Sequence, residues 1–328
     1  MSNKLRWGIL GVAKINQRLV PAFQQSKTAE LIGIASRDAE KVTKAAAEYK
    51  IPKAFTSYDA LLADPDIDAV YNPLPNTLHD EWTRKAADAG KHILCEKPLT
   101  PTAAEAISLV NYCRSKGVRL MDGFMWPHHP RTAKIRKMID DGMIGPVLRV
   151  TGAFTFKLDL DRQNIRLQPA MAGGSLLDVG CYPVYGIRWA FGAEPVKVFA
   201  SAQYVNDVDV EMNAILWFAD GRMATFDCGF TAPLRGWLEI AGTKGVIAVS
   251  DMWQPAHEAT FELTLNETSA QIIATPGANQ IVCMLDDFAS AVRENREPMP
   301  SPEEAIRNAK VIDALLLSAK EQRIVNVE

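Results

Sequence analysis

From Leu5 to Gly123 short apolar runs alternate with longer stretches of helical spacing. "RWGIL" leads into a helical pattern through Phe23, "ELIGIAS" into "DAEKVTKAAAEY", and "DAVYNPLP" into "TLHDEWTRKAADAG". "KHILCEKP" then leads into "TAAEAISLVNYCRSKG", and "VRLMDG" closes the series. Runs of this kind, separated by patterns of 10 to 15 residues, predict right-handed crossovers and a doubly wound parallel sheet with helices on both faces.

After Gly123 the period changes. Helices are expected at about 131–141 and 178–191, but most of the remainder alternates with period two: "VLRVTGAFTF", "VKVFASAQYV", "MNAILWFA", "GRMATFDCGF", "GWLEIAGTKGVIAV" and "ATFELTLN". Turn signals at Asp220-Gly221 and Lys244-Gly245 join these strands into a mostly antiparallel sheet. Helices at about 281–294 and 302–320 close the chain. The expected architecture is therefore α/β: a doubly wound domain over 1–123, then an α+β domain with a large open sheet over 124–328.

Length agrees with two cores, since 328 residues exceed the roughly 250 that one core usually serves. A net charge of −3, without a Lys/Arg-rich run, offers no footprint for nucleic acid. No stretch approaches the roughly 20 apolar residues of a membrane span, and the N-terminal residues carry no apolar leader. Five scattered cysteines without a Cys-x-x-Cys pair read as reduced thiols, so a cytoplasmic location is expected.

The first strand ends in "GILGVAKIN", placing Gly11, Ala13 and Asn16 where a dinucleotide turn uses Gly-x-Gly-x-x-Gly. Such a turn brings backbone amides up to a pyrophosphate at a helix N-terminus. The second strand ends in "ASRD", so Ser36 and Arg37 stand where an NAD enzyme carries an acid for the ribose hydroxyl. A guanidinium and a hydroxyl suit a 2′-phosphate, which favours NADP and leaves NAD possible. The alternative has Arg37 in water and Asp38 capping the next helix.

Ligands of doubly wound sheets sit beyond the carboxyl ends of the strands, and "GVA", "SRD", "PLPN" and "CEKP" are such ends. The expected cofactor contacts are Gly11, Ala13, Lys14, Ile15, Ser36, Arg37, Lys41, Pro73, Leu74, Asn76, His79, Glu96 and Lys97. For two of these a structural reading stands beside the functional one: Asn76 as N-cap of the following helix, and His79 packed in its first turn. Pro98 shapes the Glu-Lys-Pro turn, with a cis bond possible.

Together "WGILGVAKI", "PLPNTLHDEW", "AGKHILCEKPL", "FMWPHHP" and "GGSLLDVGCYPVYGIRWAFG" resemble the glucose-fructose oxidoreductase / inositol dehydrogenase / rhizopine-catabolism (Gfo/Idh/MocA) family. The likeness extends through "SPEEAIRNAKVIDALLLSAKEQR". It implies an N-terminal Rossmann domain, a C-terminal domain that binds substrate and whose open sheet is often used for oligomerisation, such as a dimer, and pyridine-nucleotide oxidoreduction of sugars, polyols or diols. It also implies that Lys97 is the catalytic lysine and Asp178 the acid of the second block. Many members carry histidine four residues after that acid, where this chain has Tyr182. That substitution resembles the branch with dimeric dihydrodiol dehydrogenase, NADP-linked xylose dehydrogenase and nucleotide-ketosugar reductase, in which tyrosine is the acid/base.

The chemistry also follows from residue types. Asp178 and Tyr182 are four apart and share a helix face. Oxidising a carbinol requires a group to take its proton, and a phenol with a reference pKa of about 10 is a poor base at neutral pH. Lowering it by about 3 units takes roughly 4 kcal/mol. A cation 4 Å away supplies about that at an effective dielectric of 20, and Lys97 is the candidate. Asp178 would orient Lys97 or a substrate hydroxyl. The competing view of Tyr182 is an aromatic packed in a core.

Other residues carry two readings each. Trp126 is either core or a sugar-stacking ring, His129 either a helix N-terminal residue or a crevice wall, and Arg166 either a sugar contact or a loop ion pair. No histidine cluster suggests a metal site. The expectation is an NADP-dependent oxidoreductase moving a hydride between nicotinamide and a carbinol or carbonyl of a sugar, polyol or cyclic diol. The rivals are a non-catalytic NADP-binding sugar sensor and a closed-cycle oxidoreductase that retains its cofactor.

Overall fold

The structure is a computed structural model that describes residues 4–161, 163–266 and 268–328. Six parallel strands, β1 (Leu5–Leu10), β2 (Ala29–Ala35), β3 (Lys53–Phe55), β4 (Ala69–Asn72), β5 (His92–Cys95) and β6 (Leu120–Asp122), form one sheet in the order β3-β2-β1-β4-β5-β6. Each crossover is helical: α1 (Asn16–Gln25), α2 (Ala39–Tyr49), α3 (Tyr58–Leu62), α4 (His79–Asp88) and α5 (Ala103–Ser115). Every residue of β4 is buried, as both faces of a central parallel strand must be. Two separate apolar clusters, one with α1 and α2 and one with α3, α4 and α5, cover the two faces.

The second sheet comprises β7 (Val147–Thr155), β8 (Pro195–Val205), β9 (Val208–Phe218), β10 (Met223–Gly229), β11 (Leu238–Gly242), β12 (Gly245–Val249), β13 (Thr260–Leu265), β14 (Gln271–Ala274) and β15 (Val325–Asn326). Their order is β14-β13-β12-β11-β7-β10-β9-β8-β15, and only β7 and β10 pair in parallel. Period two gives this sheet two unlike faces. Val210, Met212, Ala214, Leu216 and Phe218 of β9 are buried, while Asn213, Ile215 and Trp217 between them are not. Two helices precede β8: α6 (Pro130–Asp140) and α7 (Cys181–Phe191). A five-residue π-helical segment, Leu176–Gly180, runs directly into α7. The buried face lies under this continuous helix, where Gly180 packs on Cys228 of β10 and Gly186 on Trp253.

The last two helices are α8 (Gln280–Arg293) and α9 (Pro302–Glu321). By contacts the chain forms two compact units, one of residues up to His128 with Asn279–Ile306, the other His129–Ala278 with Arg307–Glu328. The return of α8 to the first unit has a plain cause. Its Ile281, Met284, Leu285, Phe288 and Ala289 recur at helical spacing and join the cluster around Trp7. The Trp7 ring lies 5.5 Å from that of Phe23 and 5.2 Å from that of Phe288, and is fully buried. Removing roughly 200 Å² of this aromatic from water stabilises the unit by about 5 kcal/mol. Within the second unit α9 is tied to the sheet by Ser318, whose hydroxyl accepts from the Ala200 amide at 3.0 Å.

Candidate functional site

In the first unit the candidate residues gather where the parallel strands end. β1 runs into Gly11, whose φ of +117° is open to glycine and strained for other residues. Its amide donates to Ala35 O at 2.9 Å and its carbonyl accepts from the buried Asn16 side chain at 3.0 Å. A Cβ at Gly11 would lie 3.3 Å from Leu74 Cδ2, so the turn also packs closely on the β4 loop. The helix that follows, α1, has neither a side-chain cap nor an acid in its first turn. Its first amides, Asn16 to Leu19, donate back to the carbonyls of Ala13, Lys14 and Ile15, so an anionic group would meet the turn amides just before them, beside the exposed Lys14. Ala13 fits as a small residue, and Asn16 serves as a tie across the turn.

At the end of β2, Ser36 is buried and its hydroxyl accepts from the Asp38 amide at 3.2 Å. Asp38 in turn caps α2 by accepting from the Lys41 amide at 3.0 Å. Arg37 and Lys41 are exposed, so two cations stand beside the turn.

The ends of β4 and β5 are laced together. Glu96 N donates to Asn72 O at 3.0 Å, and the buried Asn72 side chain accepts from Leu74 N at 3.3 Å while reaching Thr83 at 3.3 Å. One Glu96 carboxylate oxygen accepts from Tyr71 Oη and the other from the Lys97 amide at 3.2 Å. The Lys97–Pro98 peptide is cis. His79 is wholly buried, with Nδ1 2.9 Å from Pro98 O and Nε2 2.7 Å from Leu74 O. Its ring nitrogens face a carbonyl of each loop; burial pushes its pKa down, and the neutral ring donates its single N–H to one of the two. Asn76 does not cap α4. It opens a 3-10 turn, Asn76–Leu78, that continues into α4, and the residue at the cap position is Leu78. Pro75, ahead of the turn, has already fixed the chain's entry.

Behind Glu96, Asp122 ends β6 in register with Cys95. A Cβ on Gly123 would lie 2.8 Å from Cys95 O and 3.1 Å from Glu96 Cα, so the ends of β5 and β6 are nearly in contact. Burial above all, then the charge of Glu96, pushes the Asp122 carboxyl up to about 8. Trp126 is fully buried in a short 3-10 turn.

In the second unit Asp178 lies in the π segment and Tyr182 in the first turn of α7. The sequence places a helix start near Asp178; the helix instead begins earlier, with the Cys181 amide bonding back five residues to Leu176 O. Asp178 Oδ2 accepts from Arg166 Nε at 2.6 Å, and the Arg166 guanidinium lies 5.9 Å from the Phe156 ring. The Tyr182 ring is half-buried, edge-on to Phe154 at 5.0 Å and tilted against Trp253 at 5.9 Å. His129 is buried and caps α6, its Nδ1 accepting from the Arg131 amide at 3.1 Å.

Comparison with known proteins decides what these parts belong to. Residues 5–124 match the oxidoreductase family with an NAD-binding Rossmann fold (GFO_IDH_MocA), and residues 132–248 match the GFO/IDH/MocA C-terminal domain. The chain belongs to the GFO/IDH/MocA family. It is 36% identical over 99% of its length to all of a D-xylose 1-dehydrogenase (NADP(+)) from Haloferax volcanii. It is 32% identical to a trans-1,2-dihydrobenzene-1,2-diol dehydrogenase from Xenopus tropicalis, over 76% of this chain and 77% of that one. A solved 3-ketoreductase from Actinomadura kijaniata in complex with NADP and TDP-benzene superposes with a TM-score of 0.89 at 31% identity, over 96% of this chain and 98% of that one.

Sequence reading of this GFO/IDH/MocA chain missed several supporting residues. Asn72 and Tyr71 sit inside an apolar run, where only the polar atoms at its end hinted at a tie. Trp253 comes from an irregular stretch without periodicity, and the small residue facing it, Gly186 on a helix, was the available signal. Asp209 hides in a β-strand pattern as one acid.

Proposed function

We propose that this chain is an NADP-dependent oxidoreductase acting on a carbinol or carbonyl of a sugar, polyol or cyclic diol. The observation that carries the reading is the meeting of the left-handed Gly11 turn with the β4 loop at the carboxyl end of a parallel sheet, beside the Glu96-Lys97-Pro98 turn. The names of the relatives support NADP and sugar or diol chemistry. In this reading residues 1–123 hold the dinucleotide, and 124–328 bind substrate and make the subunit contact.

The Gly11 turn, through the amides from Val12 to Ile15, holds the pyrophosphate, Ser36, Arg37 and Lys41 the 2′-phosphate, and Pro73, Leu74 and Asn76 the wall beside it. His79 and Glu96 set the loops that carry this wall and Lys97. The cofactor supplies a hydride acceptor in oxidation and a donor in reduction. Tyr182 Oη takes the proton from the substrate hydroxyl, and returns it in the reverse direction. Lys97 Nζ supplies the positive charge that makes a phenolate accessible. Asp178, charge-balanced by Arg166, orients a neighbouring substrate hydroxyl, and Trp126 and His129 shape the surroundings. Absorbance of reduced nicotinamide, followed with NADP⁺ and a panel of aldoses, polyols and diols, is expected to rise with at least one substrate. Tight NADP⁺ binding with no rise for any would leave a sensor.

The outer face of the nine-stranded sheet carries Phe199, Ile215 and Trp237 incompletely buried around a groove of about 320 Å³, with Trp217 incompletely buried on the same face of β9. A second copy of the chain is its proposed occupant, because a C2 contact suits one broad, self-complementary sheet face. Light scattering should report a dimer that Trp237→Asp dissociates. No helix among the described residues is long and apolar enough to cross a membrane, and a cytoplasmic location is the reading that accompanies the free thiols.

A further inference from the structure

β9 carries an acid that no part of the proposed reaction uses. Asp209 is 3% exposed, and its Oδ2 accepts from Ser175 Oγ and from Leu176 N, both at 2.7 Å. The other carboxylate oxygen fills the space where a Gly174 side chain would be, and Gly174, with φ of +119°, is the residue that permits this. A buried carboxylate is costly unless donors surround it. Here the donors are the first amide and hydroxyl of the π segment, where the helix dipole also favours negative charge. Burial pushes the carboxyl up and these donors pull it back.

The residues downstream are built on this pin. Gly174 N donates to Arg166 O at 2.9 Å and Asp178 N to Gly174 O at 3.1 Å, so both members of the Arg166–Asp178 pair hang from one turn. The π segment holds one residue more than α winding would accommodate, and one residue of α-helix is about 100° of rotation. Rewinding would swing the start of the segment around the axis relative to Tyr182, and shift Asp178, which lies within it. Tyr182 is braced separately by Phe154 and Trp253.

We infer that Asp209 is a positioning residue, holding the Gly174-Ser175-Leu176 turn so that the helix starts as a π segment and presents Asp178 and Tyr182 in fixed relation. The inference rests on the oxidoreductase reading for its effect on turnover, and on geometry alone for its effect on the turn.

The test uses the full chain as wild type, Asp209→Asn, Asp209→Ala and Val208→Ala. Val208 is a buried neighbour on the same strand without a bond to the turn, so it controls for lost stability. Hydrogen exchange of the peptide spanning residues 174–183 should accelerate by about tenfold in Asp209→Ala, as for a lost helix cap, less in Asp209→Asn, and not in Val208→Ala. With whichever panel sugar the wild type oxidises, kcat should fall about 10- to 100-fold in the same order, while KM and NADPH affinity change little. Unchanged exchange in a folded Asp209→Ala, or equal effects from Val208→Ala, would overturn the inference. Faster exchange with undiminished kcat would overturn the positioning role. If the wild type turns over no sugar, polyol or diol of the panel, nor their carbonyl forms with NADPH, the enzyme reading fails, and exchange still decides whether Asp209 holds the turn.

Discussion

Asp122 gives a prediction that needs no substrate. Its carboxyl, ordinarily at 3.8, is held at about 8 in the folded chain, first by burial and then by Glu96. An acid that binds its proton more tightly when folded favours folding most below the unfolded value. That stability declines as pH rises from about 4 to about 8 and is flat above, because the unfolded chain has released a proton the folded chain still holds. At 1.36 kcal/mol per pH unit, this one group removes about 3 kcal/mol between pH 6 and pH 9. Asp122→Asn keeps the shape and cannot ionise. Glu96, Lys97 and Glu304, which also face the position, remain in both proteins. Urea denaturation of the two proteins at about pH 6 and about pH 9 is therefore expected to show a difference of a few kcal/mol that develops with pH, the variant being relatively more stable in alkali. If both proteins lose the same stability over that interval, the carboxyl is not held protonated and the reasoning fails.

Other outcomes are expected of the site itself. Tyr182→Phe should lower turnover at least about 100-fold with NADPH affinity nearly intact, measured by fluorescence titration. Arg37→Ala should weaken NADP by about tenfold or more and NAD hardly at all, since a charge-assisted bond to phosphate is lost; equal weakening would remove the 2′-phosphate assignment. Gly186→Val should lower the thermal midpoint, because even its Cβ would lie 2.6 Å from Trp253 Cη2, and overpacking of this kind costs about 1–3 kcal/mol.

Much of this was legible in the chain. Strands of the first sheet are apolar on both faces and those of the second alternate, so period alone separated the parallel sheet from the antiparallel one. Glu96, Lys97 and Pro98 drew notice as charges and a proline at a strand end. The π start at Leu176 was not legible, because a bond back five residues instead of four leaves no mark in residue type, and its anchor, Asp209, is distant in sequence. Asn76 misled for a related reason: it has the chemistry of a cap, but a 3-10 turn after Pro75 moved the cap position two residues on. Nor does the apolar stripe of α8 say which sheet it will cover. That was decided by Trp7 and Phe23, whose face offered a complementary surface.

The late return of α8 also orders the protein's birth on the ribosome. The first sheet is complete in sequence by His128, yet the helix that covers Trp7 begins after 150 more residues. At ordinary translation speed that is roughly 8–30 s. For that interval the nascent chain carries an apolar stripe without its native cover, a natural resting place for a chaperone until the final segment emerges.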